Sequence, residues 1–460
     1  MSGQPTRDRR RSDPRPADDR EIARPGLQAR LVAARLLAAV VDSGVSADGL
    51  LDVATGQPGL RALEPRDQAL VKAILTTALR FRGTIDAALG KCLDRPLPKN
   101  ATALQHLLHV GAAQILFLDV PDSAAVDLAV AGASADPRSR LFAGLTNAVL
   151  RRIAREKDAI LASADAAADT PDWLFQRWVA AYGTDAAQAI AAIHRVPAPL
   201  DLSVKSDPAG WAEKLGGQAL PTGTVRLAGL DRPLTDLPGF AEGEWWVQDA
   251  AAALPARLFG PVTGLRIADL CAAPGGKTAQ LAAAGAAVTA LDLSASRLRR
   301  LEDNLARLRL TADIVKADLS RYRPTEPFDG VLIDAPCSST GTIRRHPDIA
   351  YTKTPDEIDK LAAVQRRLLE AAAQLVAPGG LLVFSNCSLD PLEGEAVIAD
   401  FLKANGGFEA VPVRPDEIPG LDDAVTPDGF LRTTPALLAD PEPRRSGLDG
   451  FFAARLRRLR

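Results

Sequence analysis

Apolar positions recur with a helical period from residue 26 to about residue 158. Ala34, Leu37, Ala38 and Val41 fall at i, i+3, i+4 and i+7, the stripe of one buried helix face. A helix is predicted to open at Asp67 with Pro65 just ahead, and another to cover Ala103–Leu116 with Pro121 in the loop after it. Ser123–Ala131 and Leu141–Ala154 supply two more. Between 160 and 245 the pattern loosens. Pro171 opens a predicted helix that runs through Ala181, and Pro197, Pro199, Pro208, Pro221, Pro233 and Pro238 then cut the chain into short elements. Beyond 245 strand and helix alternate. Strands are predicted at Leu265–Leu270, Val288–Leu293, Ile314–Ala317, Phe328–Ile333 and Leu381–Asn386. Helices are predicted at Lys277–Ala284, Ala295–Leu308 and Glu357–Val376, the last ended by Pro378-Gly-Gly. Such alternation predicts an open parallel sheet covered by helices on both faces, with its ligand beyond the carboxyl ends of the strands.

The expected organisation is therefore a tail at 1–25, an all-α domain at 26–158, a small mixed linker subdomain at 159–245 and an α/β domain at 246–460. The tail alternates arginines with acids and prolines and has little to bury. With 47% hydrophobic and 24% charged residues among 460, the chain as a whole is globular rather than fibrous or disordered. Lys plus Arg number 55 against 57 Asp plus Glu, so a nucleic-acid partner requires local positive charge. Residues 26–160 hold 16 basic and 13 acidic side chains, net +3, with Arg151, Arg152, Arg155 and Lys157 clustered at the end. Residues 241–400 hold 17 basic and 21 acidic, net −4. No apolar run is long enough to span a membrane. The N-terminal stretch lacks the apolar core of a signal peptide, and its acids argue against an organelle transit peptide. The four cysteines and four histidines complete neither a disulfide framework nor a zinc pattern. A reducing, cytoplasmic setting, no metal and a monomeric chain are the expectations.

The chemistry concentrates at the predicted strand ends. After the first strand stands Asp269-Leu-Cys-Ala-Ala-Pro-Gly-Gly-Lys-Thr278, in which Gly275 and Gly276 suit a tight turn ahead of a helix N-terminus. It is neither GxGxxG nor a P-loop. Asp292 ends the second strand, 17 residues after Gly275, close to the spacing of a ribose-binding carboxylate. Asp318 and Asp334 end the third and fourth. Acids at four neighbouring strand ends favour a nucleoside cofactor without phosphates, for which carboxylates accept hydroxyl and amino donors. Lys277 suits a cofactor or substrate phosphate or a solvated helix start. Cys337 and Cys387 follow the fourth and fifth strands at the same end of the sheet, and on residue type either is a candidate nucleophile. Cys271 sits within the glycine loop, and Cys92 reads as a small buried hydrophobe.

At these residues the sequence resembles the S-adenosylmethionine-dependent RNA cytosine-5 methyltransferases, and more narrowly the Sun/RsmB family acting on 16S ribosomal RNA. The glycine loop with Asp334-Ala-Pro-Cys337 carries most of the likeness. Arg344-Arg-His-Pro-Asp-Ile349 and Asp449-Gly-Phe-Phe452 add to it. Further forward, His109-Val-Gly-Ala-Ala-Gln-Ile-Leu-Phe-Leu118 and Asn147-Ala-Val-Leu-Arg151 are similar to helices of the NusB fold, and Trp246-Val-Gln-Asp249 to the entry into the methyltransferase core. The resemblance implies a NusB-like RNA-binding domain joined to a Rossmann-like methyltransferase domain. It implies S-adenosylmethionine bound by Cys271, Ala272, Ala273, Pro274, Gly275, Gly276 and Lys277 with Asp292, Asp318 and Asp334. Cys387 becomes the nucleophile and Cys337 the group that assists product release. The chain departs from the family at Asn386, where Thr is usual. It departs again at Glu393-Gly394-Glu395, where Glu-Asn-Glu is usual, and at Leu202-Ser-Val-Lys205, where Leu-Arg-Val-Asn is usual and an Arg that could contact RNA is lost.

The chemistry this implies is attack of the Cys387 thiolate on carbon 6 of a cytosine, which makes carbon 5 nucleophilic. Asp334 is the nearest candidate acid at N3, and Cys337 a base for the carbon-5 proton. Arg344, Arg345 and His346 either hold the flanking RNA backbone or are solvated. The target base must be unstacked to reach the thiol. A tRNA-directed enzyme of the same chemistry and a non-catalytic RNA-binding adaptor are the alternatives.

Overall fold

The computed structural model describes residues 24–52 and 54–459, so all of the Arg-rich tail but its last two residues lies outside the described part. The chain divides into two compact units. One comprises 1–38, 50–78 and 85–162, and the other 39–49, 79–84 and 163–460.

The first unit is helical. Its main helices are α1 (Leu27–Ser43), α2 (Pro65–Arg80), α3 (Arg82–Cys92), α4 (Thr102–Phe117), α5 (Asp122–Ala135) and α6 (Ala143–Arg155). Pro65 lies inside the first turn of α2 rather than ahead of it, a position that needs no backbone N–H. Helix α4 is the centre, with Leu104, Leu107, Leu108, Val110, Ile115 and Leu116 all buried. A Cβ on Gly111 would lie 2.7 Å from Leu150 Cδ1, so the glycine lets α6 pack close against α4. Helix α6 buries Thr146, Val149, Leu150 and Ile153 at helical spacing and turns Arg151 and Arg155 outward.

The second unit begins with the helices α7 (Asp172–Tyr182) and α8 (Thr184–His194). A four-stranded antiparallel sheet follows, built from β1 (Leu200–Val204), β2 (Gln218–Ala219), β3 (Val225–Leu227) and β4 (Trp245–Val247) in the order β2-β3-β1-β4. Helix α9 (Pro208–Leu215) sits between β1 and β2, capped by Asp207 at its start and Gly216 at its end. The remainder alternates: β5 (Arg266–Leu270), α10 (Gly276–Ala283), β6 (Ala287–Asp292), α11 (Ala295–Leu308), β7 (Asp313–Lys316), β8 (Phe328–Asp334), α12 (Pro355–Ala373), β9 (Val376–Asn386) and α13 (Glu395–Ala404). Three strands close the chain: β10 (Phe408–Ala410), β11 (Leu431–Thr433) and β12 (Phe451–Arg458).

These form one sheet in the order β10-β12-β9-β8-β5-β6-β7, with β11 on β12. The β9-β8-β5-β6-β7 part is parallel, and β12 joins β9 antiparallel, so the sheet is mixed rather than purely parallel. Strand order reverses between β5 and β8, which places a crevice at their carboxyl ends. The central strands are apolar on both faces. Val331, Ile333, Leu382 and Phe384 pack on one side with Leu369, Val397 and Phe401 of α12 and α13. Leu332 and Val383 pack on the other with Leu281 of α10.

Two expectations shift. The third strand stops at Lys316, so Asp318 lies two residues past it. The Pro378-Gly-Gly segment does not end a helix: α12 stops at Ala373, and the segment lies within β9. There the pairing with β8 jumps from Phe328↔Val376 to Gly330↔Leu381, a bulge that the positive φ of Gly379 permits.

Candidate active site

The loop after β5 is held by strain-tolerant backbone and by neighbouring carboxylates. Cys271 has φ +59° and Gly275 φ +100°. A Cβ on Gly275 would lie 2.8 Å from the side chain of Leu301 on α11, so this glycine is required by the turn and by helix packing together. Gly276 has ordinary helical backbone, and a Cβ there would meet only Gln248 at 3.6 Å. The Ala273 N–H donates to Asp292 Oδ2 at 3.3 Å, and Asn304 donates to the Pro274 carbonyl. Asp292 also accepts from Ser294 N and pairs with Arg297 at 3.2 Å. Behind the loop Asp269 is fully buried; Thr278 donates to its Oδ2, and its Oδ1 has no partner. Burial pushes that carboxyl up to about 7. Burial, with Asp334 and Asp292 nearby, pushes the Cys271 thiol up to about 12, which disfavours its thiolate.

A cavity of about 440 Å³ opens at the strand ends. It brings together Cys271, Ala273, Asp292, Asp318, Asp334, Cys337 and Cys387. Ala272, Pro274, Gly275, Gly276 and Lys277 are off its lining. Asp318 is exposed and spends Oδ1 on Ser320, which it caps. Lys277 is neither solvated nor free: it is buried, donates to Asp334 Oδ2 at 2.7 Å and lies 4.7 Å from the Phe451 ring centroid. Asp334 Oδ1 accepts from Ser385 at 3.1 Å. The acid at this corner is therefore an Asp334–Lys277 pair rather than a lone carboxyl. Arg297, Leu293, Ser339, Val364 and Leu368 also line it; the first three are sequence neighbours of the strand-end motifs, whereas Val364 and Leu368 come from α12 and no local signal marks them.

The two cysteines meet. Cys337 Sγ and Cys387 Sγ are 3.5 Å apart on the turns that follow β8 and β9. The contact from Cys337 lowers the pKa of the Cys387 thiol, with further help from Ser339 and from Lys277, and against burial. The same contact, together with burial and the charge of Glu393, raises that of Cys337. The two thiols are thus within hydrogen-bonding reach of each other, with Cys387 the more readily ionised of the two.

The arginines after β8 are engaged in internal ion pairs. Arg344 is 1% exposed. It donates to Asp249 and Asp449 at 2.9 and 2.8 Å, and Arg345 donates to the same two carboxylates. Burial works against the charge of Asp249, yet Arg345 and Arg344 outweigh it and hold the carboxyl below its usual range. His346 lies 3.4 Å from Asp48 within the same unit. Lys205 likewise is spent, donating to the Leu308 carbonyl at 2.6 Å. Asp249 and Asp449 belong to quoted motifs, but no spacing in the sequence reveals that they meet.

Among the described residues no group of histidines, cysteines and acids could hold a metal, and no helix is long and apolar enough to cross a membrane. The sheet, its crevice and the helical unit match known structures and families. Residues 256–457 match the 16S rRNA methyltransferase RsmB/F model, and residues 27–155 match the NusB family. The crystal structure of PH0851 superposes with a TM-score of 0.66 at 23% identity, over 94% of this chain and 99% of that one. A methyltransferase homolog protein from Pyrococcus horikoshii superposes at 0.52 with 29% identity, over 63% of this chain and 96% of that one. Fold and site define a methyltransferase domain carried behind a NusB-type helical region. Ribosomal RNA small subunit methyltransferase B of Xanthomonas campestris pv. campestris is 40% identical over 411 residues, 85% of this chain and 92% of that protein. The chain belongs to the ribosomal RNA small subunit methyltransferase B family.

Proposed function

We propose that the protein methylates carbon 5 of a specific cytosine in 16S ribosomal RNA, using S-adenosylmethionine and a covalent adduct to Cys387. The observation that carries this is the 3.5 Å contact between two thiols at the mouth of the strand-end cavity. The residues fit the cofactor. The carboxylates of Asp292 and Asp318, both on the cavity lining, are acceptors for amino and hydroxyl donors. Cys271, Ala273, Asp292 and Asp318 would hold it against the sheet. When bound it supplies an electrophilic methyl group on a sulfonium.

The side chains do the rest. Cys387 Sγ forms a bond to carbon 6, and the ring electrons shift toward carbon 5 and N3. The Asp334–Lys277 pair supplies the proton or hydrogen bond that N3 requires. Once carbon 5 carries its methyl group, Cys337, acting as a thiolate that has released its own proton to water, takes the carbon-5 proton directly or through a water it holds. The carbon 6–sulfur bond then breaks, and its electron pair returns to Cys387. The helical region supplies RNA grip that the acidic strand-end domain does not, consistent with the opposite net charges of the two segments.

Bisulfite sequencing tests this directly. RNA from cells lacking the enzyme is incubated with protein and S-adenosylmethionine, alongside a Cys387→Ala control. One newly protected cytosine in 16S ribosomal RNA, absent with the variant, is the expected result. Protection in tRNA instead would overturn the substrate assignment. No protection on free RNA or on pre-ribosomal particles would favour an RNA-binding adaptor.

A further inference from the structure

Glu393 belongs to a one-turn helix, Pro391–Glu393, just past the Cys387 turn, and its side chain is completely buried. Its Oε1 accepts from Ser338 N at 2.9 Å and from Gln365 Nε2 at 2.9 Å. Its Oε2 accepts from Ser388 Oγ at 2.6 Å and from Ser338 Oγ. Ser338 follows Cys337, and Ser388 follows Cys387. The residues ahead of the two cysteines are bound in as well. Gln365 Nε2 donates to the Pro336 carbonyl at 3.0 Å, and Asn386 Nδ2 donates to the carbonyl of Glu393 at 2.6 Å. One glutamate therefore ties the chain on both sides of each thiol.

We propose that Glu393 is a positioning residue that sets the register of Cys337 against Cys387. This rests on the reading of those thiols as the reacting pair. A carboxylate suits the task because it only accepts, and all its side-chain partners here donate. Burying it is expensive, and burial raises its pKa against the pull of those donors. A purely apolar filler would leave the buried Ser338 N–H and Gln365 Nε2 without this acceptor. What the carboxylate adds is a rigid, fully satisfied link between the two turns, reinforcing the Ser338–Ser388 hydroxyl contact at 3.1 Å and the Gly341 N–H donated to the Cys387 carbonyl at 2.9 Å. Displacement of a reacting group by an ångström costs on the order of 100-fold in rate.

Glu393→Gln keeps the shape but turns one acceptor into a donor facing donors. The expected result is a kcat lowered by roughly 10- to 100-fold, with KM for RNA and affinity for S-adenosylmethionine within about twofold. A second readout does not depend on methyl transfer: the pH midpoint of Cys387 alkylation by iodoacetamide, read by peptide mass. The charged groups facing Cys387 are Asp334 and Lys277, with the Cys337 thiol beside them. Removing the negative charge of Glu393 would by itself move that midpoint down. Losing the Cys337 contact moves it up, by about one pH unit, and the upward shift is the expected result. Glu393→Asp should restore part of it. A midpoint unchanged or lowered, with kcat within about twofold of the parent, would overturn the proposal. If Glu393→Gln does not fold, Ser388→Ala removes one donor alone and should give a smaller shift in the same direction; no shift there is equally contradictory. An upward shift in a protein that methylates no RNA would leave the positioning role standing and remove the proposed reaction.

Discussion

Gly275 and Gly276 stand side by side in the sequence and do different work. Gly275 has φ +100° and no room for a Cβ against Leu301, whereas Gly276 has neither restriction. Gly275→Ala should cost about 1–3 kcal/mol in chemical denaturation, and Gly276→Ala less than about 0.5. His194 offers a second test. Its ring is fully buried edge-on to Trp178, 5.2 Å between centroids, with neither nitrogen hydrogen-bonded. Burial, with Arg344 and Arg80 nearby, pushes its pKa down to about 3. The unfolded chain takes up the proton near 6.5 and the folded one does not. His194 therefore adds stability at neutral pH that is lost as pH falls from about 6.5 toward 3. His194→Phe should flatten this part of the pH–stability curve measured by urea titration. Residue-scale legibility was uneven for a physical reason. The thiols and acids that share the cavity stand out in the sequence because they follow strands, a local pattern. Arg344 and Arg345 read as solvent-facing because their partners, Asp249 and Asp449, lie about a hundred residues away in the chain.

Elements were legible wherever one signal ran unbroken. Helix α11 was predicted and found at Ala295–Leu308, because Ser294 caps it and Leu298, Leu301, Leu305 and Leu308 keep a single buried face. The bulge in β9 was misread, since Pro-Gly-Gly carries the same local message in a bulge as at a helix end. The closing strands β10 and β11 are three residues each, too short for a period to register. The departure at Gly394 also has its explanation at this scale. A Cβ there would lie 2.6 Å from an Arg432 nitrogen and 2.8 Å from the Phe452 ring. Arg432 in turn binds Glu395 and the carbonyl of Ser388, the residue after Cys387. Gly394→Asn should therefore lower stability by about 1–3 kcal/mol and lower methylation with it, measured by thermal melting and by bisulfite readout.

In the molecule as a whole, the strand-end site is braced by β12, a strand that follows every other element of the sheet in sequence. Strand β12 lies between β9 and β10, and Phe452 packs against Phe384 and Phe430. Its neighbour Phe451 covers Lys277, which pairs with Asp334. Truncation after Gly450 should expose the edge of β9 and abolish near-ultraviolet circular dichroism, rather than merely weaken RNA binding. The overall class, a helical region followed by an α/β methyltransferase domain, was legible because each part carries its own periodicity; the mixed character of the sheet was not, because an antiparallel strand closes it from more than sixty residues away. The central claim is that Cys387 is the atom that joins the base. It is tested by incubating the protein and S-adenosylmethionine with small-subunit RNA carrying 5-azacytosine, digesting the complex, and locating the RNA-bearing peptide by mass spectrometry. The account predicts an adduct on Cys387 that persists in Cys337→Ala and disappears in Cys387→Ala. An adduct on Cys337, or none on either thiol, would contradict it.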